Sequence, residues 1–176
     1  MAYFCDQHGL NEVGAYWKKV VEINDYQIAR FSRTVVKEQF NTVAGKRIAI
    51  LGITFKPGTN DTRDSPAIGV CLRLLAERAH LAITDPQGLG NAEADLKGVD
   101  GEVEFQADPY RAAQGAHAVV LLTHWPEFAA LDYARIFAGM EKPAFFFDGR
   151  NLVDPQSLFE IGFNVFPIGK PPLSRI

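Results

Sequence analysis

Short, almost continuous apolar runs, separated by stretches with helical spacing, constrain this 176-residue chain more than any other feature. They fall at Arg47–Ile53, His80–Thr84, Ala118–Thr123 and Pro143–Phe147, with weaker candidates at Glu102–Gln106 and Asn164–Pro167. A run of this kind is the pattern of a strand covered on both faces in a parallel sheet. Between the runs, Ser65-Pro66 reads as an N-cap followed by proline at the first helical position, with Ile68, Cys71, Leu72 and Leu75 as the buried stripe. Further helices are predicted near Asp108–Gly115, Leu131–Ala138 and Pro155–Ile161. Strands alternating with helices predict an α/β domain with a doubly wound parallel sheet. Ligands of such sheets bind outside the carboxyl ends of the strands, so the segments after each strand carry the functional weight.

Ahead of this domain runs a proline-free segment, Asn11–Phe40, with apolar residues at Val13, Tyr16, Trp17, Val20, Ile23, Ile28, Phe31, Val35 and Phe40. The spacing predicts a long α-helix. At 1.5 Å per residue it spans about 45 Å, too long for one compact domain to cover, so part of it is expected to meet a partner. Asn41-Thr42-Val43-Ala44-Gly45 breaks the pattern, which divides the chain into a helical unit at 1–45 and a sheet domain at 46–176. Eighteen basic against 21 acidic residues leave a formal charge of -3, which offers no general attraction for nucleic acid or an anionic membrane. No apolar run suggests a membrane span, and no secretory leader is visible. The two cysteines, Cys5 and Cys71, are too few and too far apart for a zinc site or disulfide framework, so no metal is expected and a cytoplasmic home is the simplest.

Three segments bear the chemistry. Gly52–Ser65 (GITFKPGTNDTRDS) is far longer than the usual strand-to-helix turn, and length there usually means function. It lacks the Gly-x-Gly-x-x-Gly turn of a dinucleotide site. It carries Lys56 and Arg63, with Phe55 beside the lysine, and opens into a helix N-terminus whose dipole favours anions, which suits a phosphorylated ligand. The plainer alternative is a solvated loop whose cations pair with Asp61 and Asp64. The second segment, Thr123-His-Trp-Pro-Glu-Phe128, offers Trp125 and Phe128 as a ligand wall or as simple packing, with packing the default; His124 is read as a surface or structural residue. In the third, Asp148-Gly-Arg-Asn151, the guanidinium of Arg150 can grip phosphate at two points, while Asp148 by default caps or salt-bridges within the fold.

Taken in this order, these segments resemble the UDP-glucose/GDP-mannose 6-dehydrogenase family over essentially the whole chain. The most specific parts are GITFKPGTNDTRDSP from Gly52 to Pro66, Asp85-Pro86, Thr123-x-Trp-Pro-Glu-Phe128 and Asp148-Gly-Arg-Asn151. The resemblance implies a Rossmann-like UDP-sugar-binding domain preceded by the end of a central dimerisation region. It also implies a two-step oxidation of the sugar C6 alcohol to a carboxylate, with two NAD molecules and a covalent cysteine intermediate; the analogous product is UDP-glucuronate. Carried over by position, Phe55, Lys56 and Arg150 are expected to contact the sugar nucleotide. Arg63 is expected to reach NAD bound by another Rossmann domain, and the Asn11–Phe40 helix to form a homodimer.

The family's Gly-rich NAD fingerprint and its Gly-Gly-Ser-Cys-Phe nucleophile stretch do not occur in this sequence. Cys5 follows Tyr3-Phe4 without those glycines, and Cys71 lies on a helix stripe as an inert thiol. No catalytic residue is therefore expected in this chain, which should be inactive alone, its cofactor NAD being bound mainly by a domain it lacks. The alternative is a stand-alone, non-catalytic sugar-nucleotide-binding or regulatory module of the same family.

Overall fold

The computed structural model describes residues 1–176. Two helices come first, α1 (Ala2–Gln7) and the long α2 (Asn11–Glu38). The sheet domain follows in the order β1 (Arg47–Leu51), α3 (Pro66–Ala76), β2 (His80–Thr84), α4 (Leu89–Asp95), β3 (Glu102–Phe105), α5 (Pro109–Ala113) and β4 (Ala118–Leu121). It continues with α6 (Pro126–Ala129), α7 (Tyr133–Gly139), β5 (Phe145–Asp148), α8 (Pro155–Ile161) and β6 (Asn164–Pro167). All six strands are parallel, in the order β3-β2-β1-β4-β5-β6. This is the doubly wound, Rossmann-like arrangement, whose strand order reverses between β1 and β4. No helix is long and apolar enough to cross a membrane.

The apolar runs become strands because both faces of the sheet are covered. In β5 the alternation is explicit: Phe145 and Phe147 stack toward one face, where Phe166 joins them, while Phe146 packs edge-on against Tyr133 and Phe163 on the other. All three phenylalanines are buried, each contributing roughly 1.5–3 kcal/mol of transfer free energy. The first face is closed by α3 and the second half of α2, the other by α7, α8 and the segment around Trp125.

Several boundaries differ from the sequence expectation. The long helix ends at Glu38 rather than Phe40, because Phe40 and Asn41 take left-handed backbone. β1 ends at Leu51 because Gly52 turns at φ 90°, and its missing Cβ leaves room for the Thr123 side chain. Ser65 caps α3 as expected, its hydroxyl accepting from the Ala67 amide. The buried stripe of that helix is Ala67, Val70, Cys71, Leu74 and Leu75, whereas Leu72 is exposed. The stripe is thus rotated from the expected Ile68-Cys71-Leu72-Leu75, since α2 covers a flank that periodicity in α3 alone does not reveal. A Cβ at Gly69 would stand 3.1 Å from Ile28 Cγ2 of α2, tighter than ordinary contact, so the glycine lets the two helices approach closely.

Helices α1 and α2 fold back on each other at the start of the chain. Lys18 bridges Asp6 at 2.7 Å, and Cys5 of α1 is buried. The rest of this unit presents apolar side chains to solvent: Tyr3, Phe4, Val13, Tyr16, Val21, Ile23 and Tyr26 are all exposed.

Candidate functional site

The site is built at the carboxyl edge of the sheet. A cleft of about 740 Å³ opens there between the middle of α2 and the loops that follow β1, β4 and β5. Val21, Asp25, Ile28 and Phe31 form its helical wall, while Phe55, Ser65, Leu122 and Arg150 stand opposite. Two of the residues picked out from sequence, Phe55 and Arg150, are therefore brought together across 95 positions of chain. Lys56 follows Phe55 on the exposed rim, with no ion-pair partner, and does not line the cleft. Arg63 lies apart, on the outer side of the loop. Its guanidinium forms a two-point ion pair with Asp61 and holds that carboxyl at about 2, although Arg63 is exposed and Asp61 partly so, which leaves the pair open to solvent screening. For Arg63 the plain alternative, pairing within the loop, describes the geometry.

Arg150 is half-buried, and burial draws its guanidinium below the ordinary arginine range. Its Nε donates to the Leu122 carbonyl at 2.6 Å, which fixes the plane of the fork and leaves the two terminal nitrogens for a ligand. The Asp148 carboxylate accepts from the amides of Arg150, Leu152 and Val153, so it shapes the turn that presents the arginine, in keeping with its expected structural role. At the α3 N-terminus the first-turn donors are already used: Ala67 N–H goes to the Ser65 hydroxyl and Ile68 N–H to the Ser65 carbonyl. The helix dipole still faces the cleft, but free amides for a phosphate do not.

The loop that carries Phe55 is pinned at several points. Asp85, at the end of β2, accepts from the amides of Ile53 and Thr54, the Thr54 hydroxyl and the Trp125 indole through Oδ2, and from Gln87 and Gly88 amides through Oδ1. Further along, the Phe55 amide donates to the Asp61 carbonyl, Asn91 of α4 holds the Asn60 carbonyl, and the Thr62 hydroxyl donates to Asp95. Sequence reading missed these supports. Helix α4 is short and weakly amphipathic, and the one visible signal was the Asp85-Pro86 pair at a strand end.

Trp125 and Phe128 are buried packing residues, and His124 is exposed, as the default readings had it. In a sheet of this order a dinucleotide crosses the reversal between β1 and β4. Here Thr54, Thr123 and Trp125 fill that crevice, all buried and bonded to one another and to Asp85. The residues present do not fit a dinucleotide there.

Comparison with known proteins bears directly on this cleft. Residues 49–155 match the UDP binding domain of the UDP-glucose/GDP-mannose dehydrogenase family, a stretch that includes Phe55, Asp85 and Arg150. The chain belongs to this family. UDP-glucose 6-dehydrogenase 1 of Oryza sativa subsp. japonica is 49% identical over 189 residues, covering 97% of this chain and 39% of its own length. UDP-glucose 6-dehydrogenase 1 of Arabidopsis thaliana is 47% identical, with 97% and 40% covered. This member of the family thus spans about 39% of the length of such relatives. Among solved structures, a UDP-glucose dehydrogenase from the hyperthermophilic archaeon Pyrobaculum islandicum superposes with a TM-score of 0.72 at 26% identity, over 94% of this chain and 34% of that one. An NDP-N-acetyl-D-galactosaminuronic acid dehydrogenase from Methanosarcina mazei Go1 shares the fold, with a TM-score of 0.72 at 20% identity over 90% and 32%.

Proposed function

We propose that this chain is the sugar-nucleotide-binding part of an NAD-dependent UDP-glucose 6-dehydrogenase, in which Phe55, Lys56 and Arg150 contact the sugar nucleotide. The observation that carries this reading is the convergence of Phe55 and Arg150 on one cleft, within the residues that match a UDP binding domain. An aromatic face, an oriented guanidinium and an unpaired rim lysine suit a ligand with a flat base or sugar and a diphosphate. Lys56, on the rim, supplies charge to the phosphates and the reacting sugar.

In the complete enzyme NAD supplies the hydride acceptor for both oxidations. The crevice at the β1–β4 reversal is filled, so on this reading the cofactor belongs to another domain, which the exposed Arg63 would reach. Breaking the exposed Arg63–Asp61 pair for that purpose costs little, since solvent screens such surface pairs and two long side chains must be ordered to hold them. The nucleophile also lies elsewhere. Cys71 is fully buried with its thiol pushed up to about 12, and Cys5 of α1 is buried as well, so neither sulfur is open to a substrate. The chain alone is inactive on this reading, and the exposed apolar surface of α1 and α2 is where a second copy binds in a cytoplasmic homodimer.

The test is titration of UDP-glucose into the ¹⁵N-labelled chain. Saturable shifts at Phe55, Lys56 and Gly149–Asn151 are expected, with no NADH formed when NAD is added. Shifts confined to other surfaces would remove the basis for the assignment.

A further inference from the structure

We infer that Asp85 is a positioning residue for the sugar-nucleotide site: its carboxylate sets the direction in which the loop after β1 presents Phe55 to the cleft and Lys56 to its rim. The inference rests on the reading of that cleft as the sugar-nucleotide site. Asp85 belongs to β2's end, yet four of its six hydrogen bonds leave its own turn, reaching Ile53 and Thr54 after β1 and Trp125 after β4. Distances run from 2.8 to 3.1 Å, and Asp85, Thr54 and Trp125 are all buried. One carboxylate therefore ties the carboxyl ends of three strands together at the point where strand order reverses.

The chain can reach this arrangement only because two positions lack side chains. A Cβ at Gly88 would stand 2.3 Å from the Thr54 methyl, and one at Gly52 would stand 2.5 Å from Thr123 Cβ. The Thr123 hydroxyl completes the clamp, donating to the Thr54 carbonyl at 2.7 Å. Residue 54 thus has its amide, carbonyl and side chain all held, and the next residue is Phe55. Fixing the backbone at 54 fixes the Cα–Cβ direction at 55, with the Phe55–Asp61 bond closing the far side. Such pre-organisation removes ordering cost from ligand binding. A buried carboxylate surrounded by donors serves this purpose better than a neutral group, since hydrogen bonds to a charged acceptor are the stronger kind.

Asparagine has the same shape but turns an NH₂ toward donors, so Asp85→Asn is the sharpest perturbation, while Thr54→Val and Trp125→Phe each remove one partner. The readout is the dissociation constant of UDP-glucose for the ¹⁵N-labelled 176-residue chain, beside its thermal midpoint and the amide exchange of Ile53 and Thr54. Leu158→Ala, a buried substitution outside the clamp, serves as the stability control. Asp85→Asn is expected to weaken binding at least tenfold, and Trp125→Phe and Thr54→Val about threefold each. Amide exchange at 53 and 54 should accelerate in all three, and Leu158→Ala should lower the midpoint with affinity unchanged. If Asp85→Asn fails to fold, the two milder variants decide the matter alone. Affinity within the error of wild type in the clamp variants, while Phe55→Ala or Arg150→Ala weakens it, would overturn the positioning role. Should Phe55→Ala and Arg150→Ala also bind normally, the cleft itself is misassigned and the clamp falls with it.

Discussion

Helix α2 is one continuous element with two different surroundings. From Ile28 to Val36 it lies on the sheet domain, with Val35 fully buried and Phe31 and Val36 packed on the core. From Val13 to Tyr26 its apolar side chains face solvent, with Tyr16 65% and Ile23 57% exposed. The sequence period is the same in both halves. What differs is whether this chain supplies the opposing surface, so amphipathicity reports that a face is to be covered and says nothing of what covers it.

The sharpest way to break this comparison is to place the same charge in each half. Val35→Asp buries an unpaired carboxylate in the core and is expected to cost roughly 3–5 kcal/mol in a urea titration. Ile23→Asp should change monomer stability by no more than about 0.5 kcal/mol. Its effect belongs instead to light scattering, where the proposed dimer predicts a dimeric wild type at high concentration and a monomeric variant. A strictly monomeric wild type would end the dimer reading of this surface.

The cleft sits where the two halves meet, and the next effect separates two cations of the loop beside it. In the full-length dehydrogenase of the proposed function, Lys56→Ala is expected to lower kcat/KM for the sugar nucleotide about 10- to 100-fold, the range for losing hydrogen bonds to a charged partner. Arg63→Ala should raise KM for NAD several-fold and leave KM for the sugar nucleotide alone. The opposite split would exchange the roles assigned to these two cations.

How far the sequence anticipated this arrangement follows from the range of its signals. The strands at 47–51, 80–84, 118–121 and 145–148 were legible because burial on both faces writes itself into consecutive residues. Phe55 and Arg150 were legible as residues placed just after strands, and through the family resemblance of the segments around them. Asp85's role was not, because it depends on the β1, β2 and β4 ends being neighbours, a property of strand order rather than of any local pattern. The same holds for the rotated stripe of α3, whose covered flank is set by a helix that ends at Glu38, well upstream of it. Helix α4, with only Ala92 buried, left too little apolar pattern to be read.

The smallest expected effect uses the two cysteines, one in each region. Cys71 is at the centre of the sheet domain, where desolvation of the thiolate pushes its thiol up to about 12. Maleimide should label it at neutral pH only as fast as the domain unfolds, because the neutral thiol is the form present and the site excludes reagent. Cys5 is buried on the short helix α1, whose neighbours Tyr3, Phe4, Leu10 and Val13 are exposed, so local opening there takes less than global unfolding. It should label first, with Cys71 following only as denaturant approaches the midpoint. Cys5→Ala should remove the early phase, shift stability by about 1 kcal/mol or less, and leave turnover of the full-length enzyme nearly unchanged. Equal labelling rates would mean that the two regions open together, and that α2 transmits the stability of the sheet domain along its whole length. Loss of turnover in Cys5→Ala would instead place the nucleophile at Cys5, against the reading that it lies elsewhere in the complete enzyme.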